Sequence, residues 1–237
     1  MTWTGLSGAR FIRPIRWILG LLDGKLLKFS YGGIAASDVT RGHRFLGSST
    51  IRVRAYTDYE KSLRANGVIV RPTERQEKIE RELAAATKKG GYRIHEDAEL
   101  LKLVSYLNEF PSVIEGNFDP AFLDLPDEIL VTVMRGHQKY FAVEKRGGEL
   151  APHFLAVINL AKDSKGLVRA GHERVLKARF ADAQFFWESD QKCRLADYLP
   201  KLERVTYESR LGSYRDKVER VRTLARWFCE QWYNLGM

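Results

Sequence analysis

At 237 residues and 44% hydrophobic content, the chain holds enough apolar material for one large domain, or one domain and part of another, which excludes a disordered segment. Its net charge of +9 is uneven: residues 1–90 carry 17 Lys/Arg against 8 Asp/Glu, residues 91–164 carry 7 against 12, and residues 165–237 carry 15 against 10. Two basic stretches around an acidic middle favour a polyanionic partner, with a solvated basic surface as the plain alternative, and no apolar run is long enough to span a bilayer.

Residues 15–22 and 26–34 are apolar runs separated by Asp23-Gly24-Lys25. Asp-Gly between such runs predicts a hairpin, because both turn positions must tolerate positive φ. Residues 51–55 alternate like a half-buried strand. Thr57-x-x-Glu60 reads as a capping box that opens a short helix, which Gly67 closes. A brief strand is expected at 68–70. Pro72 suits the first turn of the next helix, which runs to about Lys89 and stops at Gly90-Gly91. Residues 97–108 predict a helix with Leu100, Leu101, Val104 and Leu107 on its buried side. A strand follows at 111–116, and Pro126-Asp127-Glu128 starts a helix carrying Ile129, Leu130, Val133 and Met134.

A hairpin is expected from 139–145 and 153–160 around Arg146-Gly147-Gly148, its second strand apolar enough to be central in a sheet. After the polar connection 161–166 the pattern is helical, over 166–190, 195–208 and 214–233. In the first of these helices Val168, Val175, Leu176, Phe180, Ala183 and Phe186 form an apolar stripe, with Arg169, Arg174 and Lys177 facing outward. Phe185, Phe186 and Trp187 read as core or interhelix packing. Val218, Val221, Leu224, Ala225 and Phe228 form a stripe on the last helix that calls for partner helices not present in this sequence. The expected architecture is α+β: a mixed sheet-and-helix domain over 1–163, then a helical segment over 164–237 that begins a larger helical domain.

Three groups of side chains are candidates for nucleic-acid contact. Arg41, His43 and Arg44 lie in a glycine-containing turn, where guanidinium forks and close backbone approach suit phosphate oxygens. Their plain alternative is pairing with the acidic middle segment. Arg135, His137, Gln138, Lys139 and Tyr140 follow a helix and enter a strand. His137, Gln138 and Tyr140 suit stacking on, or hydrogen bonding to, an unpaired nucleotide, with Lys139 near a phosphate. A satisfied structural histidine is the alternative there. Arg169, Arg174 and Lys177 form a phosphate ladder whose binding would fall with salt, unless Glu173 and Asp182 tie them into intrahelical pairs.

The motifs that are missing also bear on function. There is no phosphate-binding loop of the G-x-x-x-x-G-K-[ST] type, no G-x-G-x-x-G, and none of the nucleotide-binding strings of class I or class II synthetases. No H-x-H or H-E-x-x-H occurs, and Cys193 and Cys229 form no C-x-x-C pair, so no metal or catalytic residue is assigned and both thiols are expected to be reduced.

Three clusters carry a family resemblance. The first is Phe11-Ile12-Arg13-Pro14-Ile15-Arg16-Trp17 with Thr40-Arg41-Gly42-His43-Arg44-Phe45. The second is Leu125-Pro126-Asp127-Glu128-Ile129-Leu130 with Gly136-His137-Gln138-Lys139-Tyr140-Phe141. The third is Glu173-Arg174-Val175-Leu176-Lys177-Ala178-Arg179-Phe180-Ala181-Asp182-Ala183 with Phe185-Phe186, continued by Leu211-Gly212-Ser213-Tyr214 and Asp216-Lys217. In this order, across nearly the whole chain, they resemble the β subunit of bacterial tetrameric glycyl-tRNA synthetase.

The resemblance implies a cytoplasmic α2β2 glycine–tRNA ligase, working in protein biosynthesis, in which the α subunit holds the class II site and uses ATP with Mg and glycine. The β subunit would be a non-catalytic part that binds tRNA(Gly), assembles with the α subunit and binds no cofactor over this stretch. The family's β subunit is longer, so this sequence resembles an internal portion of it. Part of the mixed region is similar in kind to the editing-type domain of the phenylalanyl-tRNA synthetase β subunit. Two other readings stay open: a hydrolytic editing domain with His137 or His153 near a water, and a pure protein–protein scaffold.

Overall fold

The computed structural model describes residues 15–234, so Phe11-Ile12-Arg13-Pro14 of the first cluster lies outside the described residues. Compactness divides the chain between Ala181 and Asp182. The polar connection at 163/164 is where the mixed region gives way to helix, while the compact division falls later, inside that helix.

The first unit opens with short strands: β1 (Ile18–Leu19), β2 (Leu21–Leu22), β3 (Lys25–Leu26), β4 (Ser30–Tyr31), β5 (Ile34–Ser37), β6 (Val39–Thr40) and β7 (Ile51–Arg52). Asp23 and Gly24 have φ of 50° and 77° and turn β2 into β3, with Leu22 opposite Lys25, as the Asp-Gly pair predicts. The run at 26–34 is not a single strand. Gly32-Gly33, with φ of 57° and 80°, makes a second two-residue turn, and β5 pairs antiparallel with β4 and parallel with β1. Ile51 and Val53 are buried while Arg52 and Arg54 are exposed, and with Leu63 they seed a small core.

Helix α1 (Tyr56–Ala65) is capped by Ala55 with no side-chain bond, so Thr57-x-x-Glu60 is not a capping box. The helix starts two residues too early for that, and Glu60 instead accepts from the Arg71 guanidinium at 3.0 Å. The strand expected at 68–70 does not form. Its backbone N–H groups bond singly, Val68 to the Leu63 carbonyl and Ile69 to the Glu109 carbonyl at 2.9 Å each, and make no ladder. Helix α2 (Pro72–Gly90) begins on proline and ends before Gly91, whose φ is 73°. Arg75 is buried in its first turns, donating to the carbonyls of Ser105, Ile69 and Val70 at 2.7, 2.6 and 2.8 Å.

After β8 (Arg93–Ile94), helix α3 (Ala98–Leu107) is capped by the Asp97 carboxylate, which accepts the Leu100 N–H at 2.8 Å. Leu100 and Val104 are buried as expected, but Leu107 at the frayed end is exposed. Strands β9 (Ser112–Asn117), β10 (Tyr140–Glu144) and β11 (Leu150–Ile158) complete an antiparallel sheet in the order β8-β10-β11-β9, with α4 (Asp127–Val133) between β9 and β10. The apolar strand at 150–158 is indeed interior.

One sheet face, carrying Phe141, Val143, Ala151 and Leu155, packs on Ile79 and Leu83 of α2 and on Leu100 and Val104 of α3. The other carries Tyr140 and Phe154, stacked with ring centroids 4.5 Å apart. Helix α5 (Leu167–Asp190) covers it: His172 touches Tyr140, and Phe180 lies edge-on to Phe118 at 5.0 Å. A sheet covered on both sides needs apolar side chains on both, which is why four successive residues of β10 are buried. Gly116 sits opposite Phe154, whose ring fills the space a Cβ would take. The α5 stripe is narrower than its periodicity suggests. Leu176 and Phe180 are fully buried, but Val175 is exposed.

In the second unit Phe185, Phe186 and Trp187 are exposed, not packed. The helix expected over 195–208 is a 3₁₀ segment, Leu195–Arg204, with Pro200 inside it; Pro200 lacks the N–H that an α-helical ladder needs. It runs into β12 (Thr206–Glu208), paired with β13 (Gly212–Ser213). Helix α6 (Tyr214–Asn234) follows with Val221, Leu224 and Phe228 exposed. No described helix is long and apolar enough to cross a membrane.

Candidate nucleic-acid interface

The loop between β6 and β7 is built around two glycines and one histidine. Gly42 and Gly47 lie so close to the Asn66 backbone that a Cβ on either would collide with it. Asn66 accepts the His43 N–H on its carbonyl and the Ser48 N–H on its side chain, both at 2.9 Å. His43 is 1% exposed. Its Nδ1 accepts the N–H groups of Phe45 and Leu46 at 3.2 Å each, so the ring proton sits on Nε2 and is donated to the Asn159 carbonyl at 2.9 Å.

His43 therefore holds the loop from inside and presents neither nitrogen outward. Arg41 and Arg44 are exposed, the first with its guanidinium 5.0 Å from the centroid of Trp17, the second 5.6 Å from that of Phe45. With Arg16 they line a cleft of about 440 Å³ whose wall also includes Glu109. None of the three arginines forms an ion pair among the described residues, so pairing with the acidic middle segment is not what holds them.

The second predicted group is mostly committed to structure. Helix α4 ends in a wide π turn, Met134–Gln138, and Lys139 follows in the left-handed region at φ 61°. A non-glycine residue there costs on the order of 1 kcal/mol. The turn is held from several sides. Arg135 pairs with Asp97 and with Glu99, the latter at 2.6 Å. Burial pushes the Asp97 carboxyl up, but the Arg135 and Leu100 N–H bonds outweigh it and hold it below the usual range.

Lys139 folds its ammonium onto the Gly136 carbonyl at 2.7 Å. Tyr140 is buried. Its hydroxyl, pushed up to about 12 by burial, is hydrogen-bonded to Nδ1 of His172 and lies 3.4 Å from the Gln138 side-chain amide oxygen. Burial lowers the pKa of His172, which favours its neutral ring. Of this group His137 alone is left exposed without a described partner.

Along α5 the three cations are open. Asp163 caps the helix by accepting the Arg169 N–H at 2.8 Å, and Gly166 supplies a φ of 66° just ahead of it. Arg169, Arg174 and Lys177 are exposed and form no ion pair among the described residues. Glu173 is drawn away from them, accepting the Asn117 N–H at 3.0 Å.

Sequence reasoning missed the residues that set this geometry. Asn159 accepts from His43 on its carbonyl and from the N–H groups of Glu109 and Phe110 on its side chain, at 2.9 Å each. His172 anchors Tyr140, and Trp17 stacks on Arg41. Only Trp17 left a signal, being an aromatic inside a basic string. His153 has both ring nitrogens engaged, by the Tyr92 hydroxyl at 2.6 Å and by Asn117. Among the described residues no cluster of His, Cys, Asp and Glu is placed to hold a metal ion.

A sequence model of the family described as glycyl-tRNA synthetase beta subunit matches residues 1–236. A protein of Geobacter sulfurreducens named glycine–tRNA ligase beta subunit is 41% identical over 225 residues, covering 95% of this chain and 33% of the relative. Proteins of the same name from Acidobacterium capsulatum and Desulfitobacterium hafniense are 42% and 39% identical, each covering 95% of this chain and 32% of the relative. The chain spans about a third of the length of the curated relatives it matches.

Proposed function

Since the chain belongs to the glycyl-tRNA synthetase beta subunit family, we propose that it is the part of a cytoplasmic glycine–tRNA ligase β subunit that holds tRNA(Gly) and helps assemble an α2β2 enzyme. In this reading it does no chemistry on the amino acid. ATP with Mg and glycine are handled by the α subunit, and this stretch binds no cofactor.

The observation that carries RNA binding is the exposure of three unpaired cations, Arg169, Arg174 and Lys177, on a helix anchored by the buried Leu176 and Phe180. Unpaired cations at helical spacing match a phosphate backbone, whereas cations already bonded to carboxylates offer it little. We also read the mixed sheet-and-helix region as similar in kind to the editing-type domain of the phenylalanyl-tRNA synthetase β subunit. Hydrolysis by it is disfavoured, because both nitrogens of His153 are engaged and, among the described residues, no carboxylate bonds to His137.

The test is tRNA(Gly) binding to the α–β complex across a salt series, with Arg169, Arg174 and Lys177 each changed to Glu. Each phosphate contact contributes about 0.9 to the slope of log affinity against log salt, so the triple variant should flatten it by about 3. An unchanged slope and affinity would refute the RNA role and leave a protein–protein scaffold.

A further inference from the structure

We propose that the cleft between Trp17 and the 41–49 loop binds an unpaired nucleotide of single-stranded RNA, with the base on the indole and the phosphate among Arg16, Arg41 and Arg44. The proposal rests on the RNA-binding reading above and names which RNA this surface takes.

Three features point to a single strand. Trp17 is 41% exposed in a region rich in cations, with Arg41 aligned against its ring. An exposed indole beside arginines is a stacking platform, and only a base free of its neighbours in a helix can offer a face to it. The cleft is concave and about 440 Å³ in volume, within the range of pockets that enclose small ligands, while the accessible groove of an RNA duplex is shallow and its bases are covered. Three cations face a single carboxylate, Glu109, among the lining residues, so the local charge favours an anion.

The donors are also set in advance. His43 and Asn66 pin the loop from within, so Arg41 and Arg44 project from a fixed backbone. Among the described residues no ring lies against the α5 cations, which suit a backbone of either kind. The two surfaces therefore differ in what they select.

The experiment measures anisotropy of a labelled single-stranded RNA hexamer, and of the blunt duplex of the same sequence, on the α–β complex. Trp17→Ala should weaken the hexamer about tenfold or more and leave the duplex unchanged, while Trp17→Phe, which keeps a ring, should retain most of the binding. If Trp17→Ala fails to fold, the exposed pair Arg41→Gln with Arg44→Gln replaces it and should again lower hexamer binding more than duplex binding. Equal losses on both RNAs, or hexamer binding indifferent to these changes, would overturn the proposal while leaving RNA binding intact. If the unmodified complex binds neither RNA, the RNA-binding reading itself falls.

Discussion

His43→Ala separates a contact residue from a structural one. The ring makes three hydrogen bonds and is 1% exposed. The bonds are not equal in worth. Phe45 and Leu46 are exposed, so their N–H groups find water when Nδ1 is removed, and each loss costs only a few tenths of a kcal/mol. The Asn159 carbonyl is half-buried, and leaving it without its donor costs about 1 kcal/mol. Removing a buried ring adds a cavity, for a total of about 2–3 kcal/mol. For a unit of this size that is a fall in Tm of roughly 5–10 °C. The assay is urea and thermal unfolding by circular dichroism, with hexamer binding measured alongside. Binding should drop with stability, although both ring nitrogens are spent on the protein's own backbone. A variant within about 0.5 kcal/mol of the parent, or one as stable as the parent that has lost binding, would refute the assignment. The second result would mean that His43 touches RNA directly.

Two further outcomes are expected. Arg75→Met fills similar space but strands the carbonyls of Ser105, Ile69 and Val70, and should destabilise the first unit by about 3 kcal/mol in a urea titration; a change under about 1 kcal/mol would show that water replaces the guanidinium. The Asp97 carboxyl titrates below its unfolded value, so its contribution is complete above about pH 4 and is lost as pH falls through the folded value. Hydrogen exchange in the first turn of α3 should therefore accelerate in acid, and Asp97→Asn, which keeps an acceptor but loses the charge pairing with Arg135, should remove that acid dependence.

Features that depend on a few adjacent residues could be read directly. The Asp23-Gly24 turn and the proline start and glycine stop of α2 are each set by local geometry, and each formed. Features settled by distant partners could not. Thr57-x-x-Glu60 has the letters of a capping box, but Arg71 claims Glu60. The segment 68–70 has strand-like residues, but its backbone bonds go to Leu63, Glu109 and the Arg75 side chain and not to a neighbouring strand. His43 and Tyr140 sit in strings that suggest ligand contact, yet Asn159 and His172 turn them inward, and nothing near either residue announces those partners. Arg41, Arg44 and the α5 cations remained open because, among the described residues, no carboxylate pairs with them. Absence of a partner is a property of the whole fold.

Asn159 also bears on the order in which the protein becomes competent. It closes the 41–49 loop across 116 residues of sequence, and its side chain holds the backbone at Glu109 and Phe110 as well. Contacts that span such separations form late, since the chain between must first be ordered. During synthesis the arginines of the cleft leave the ribosome early, but their geometry waits for the end of β11. A nascent chain thus carries the basic string for most of this stretch without a shaped site for RNA, and gains both cleft and sheet in one late step.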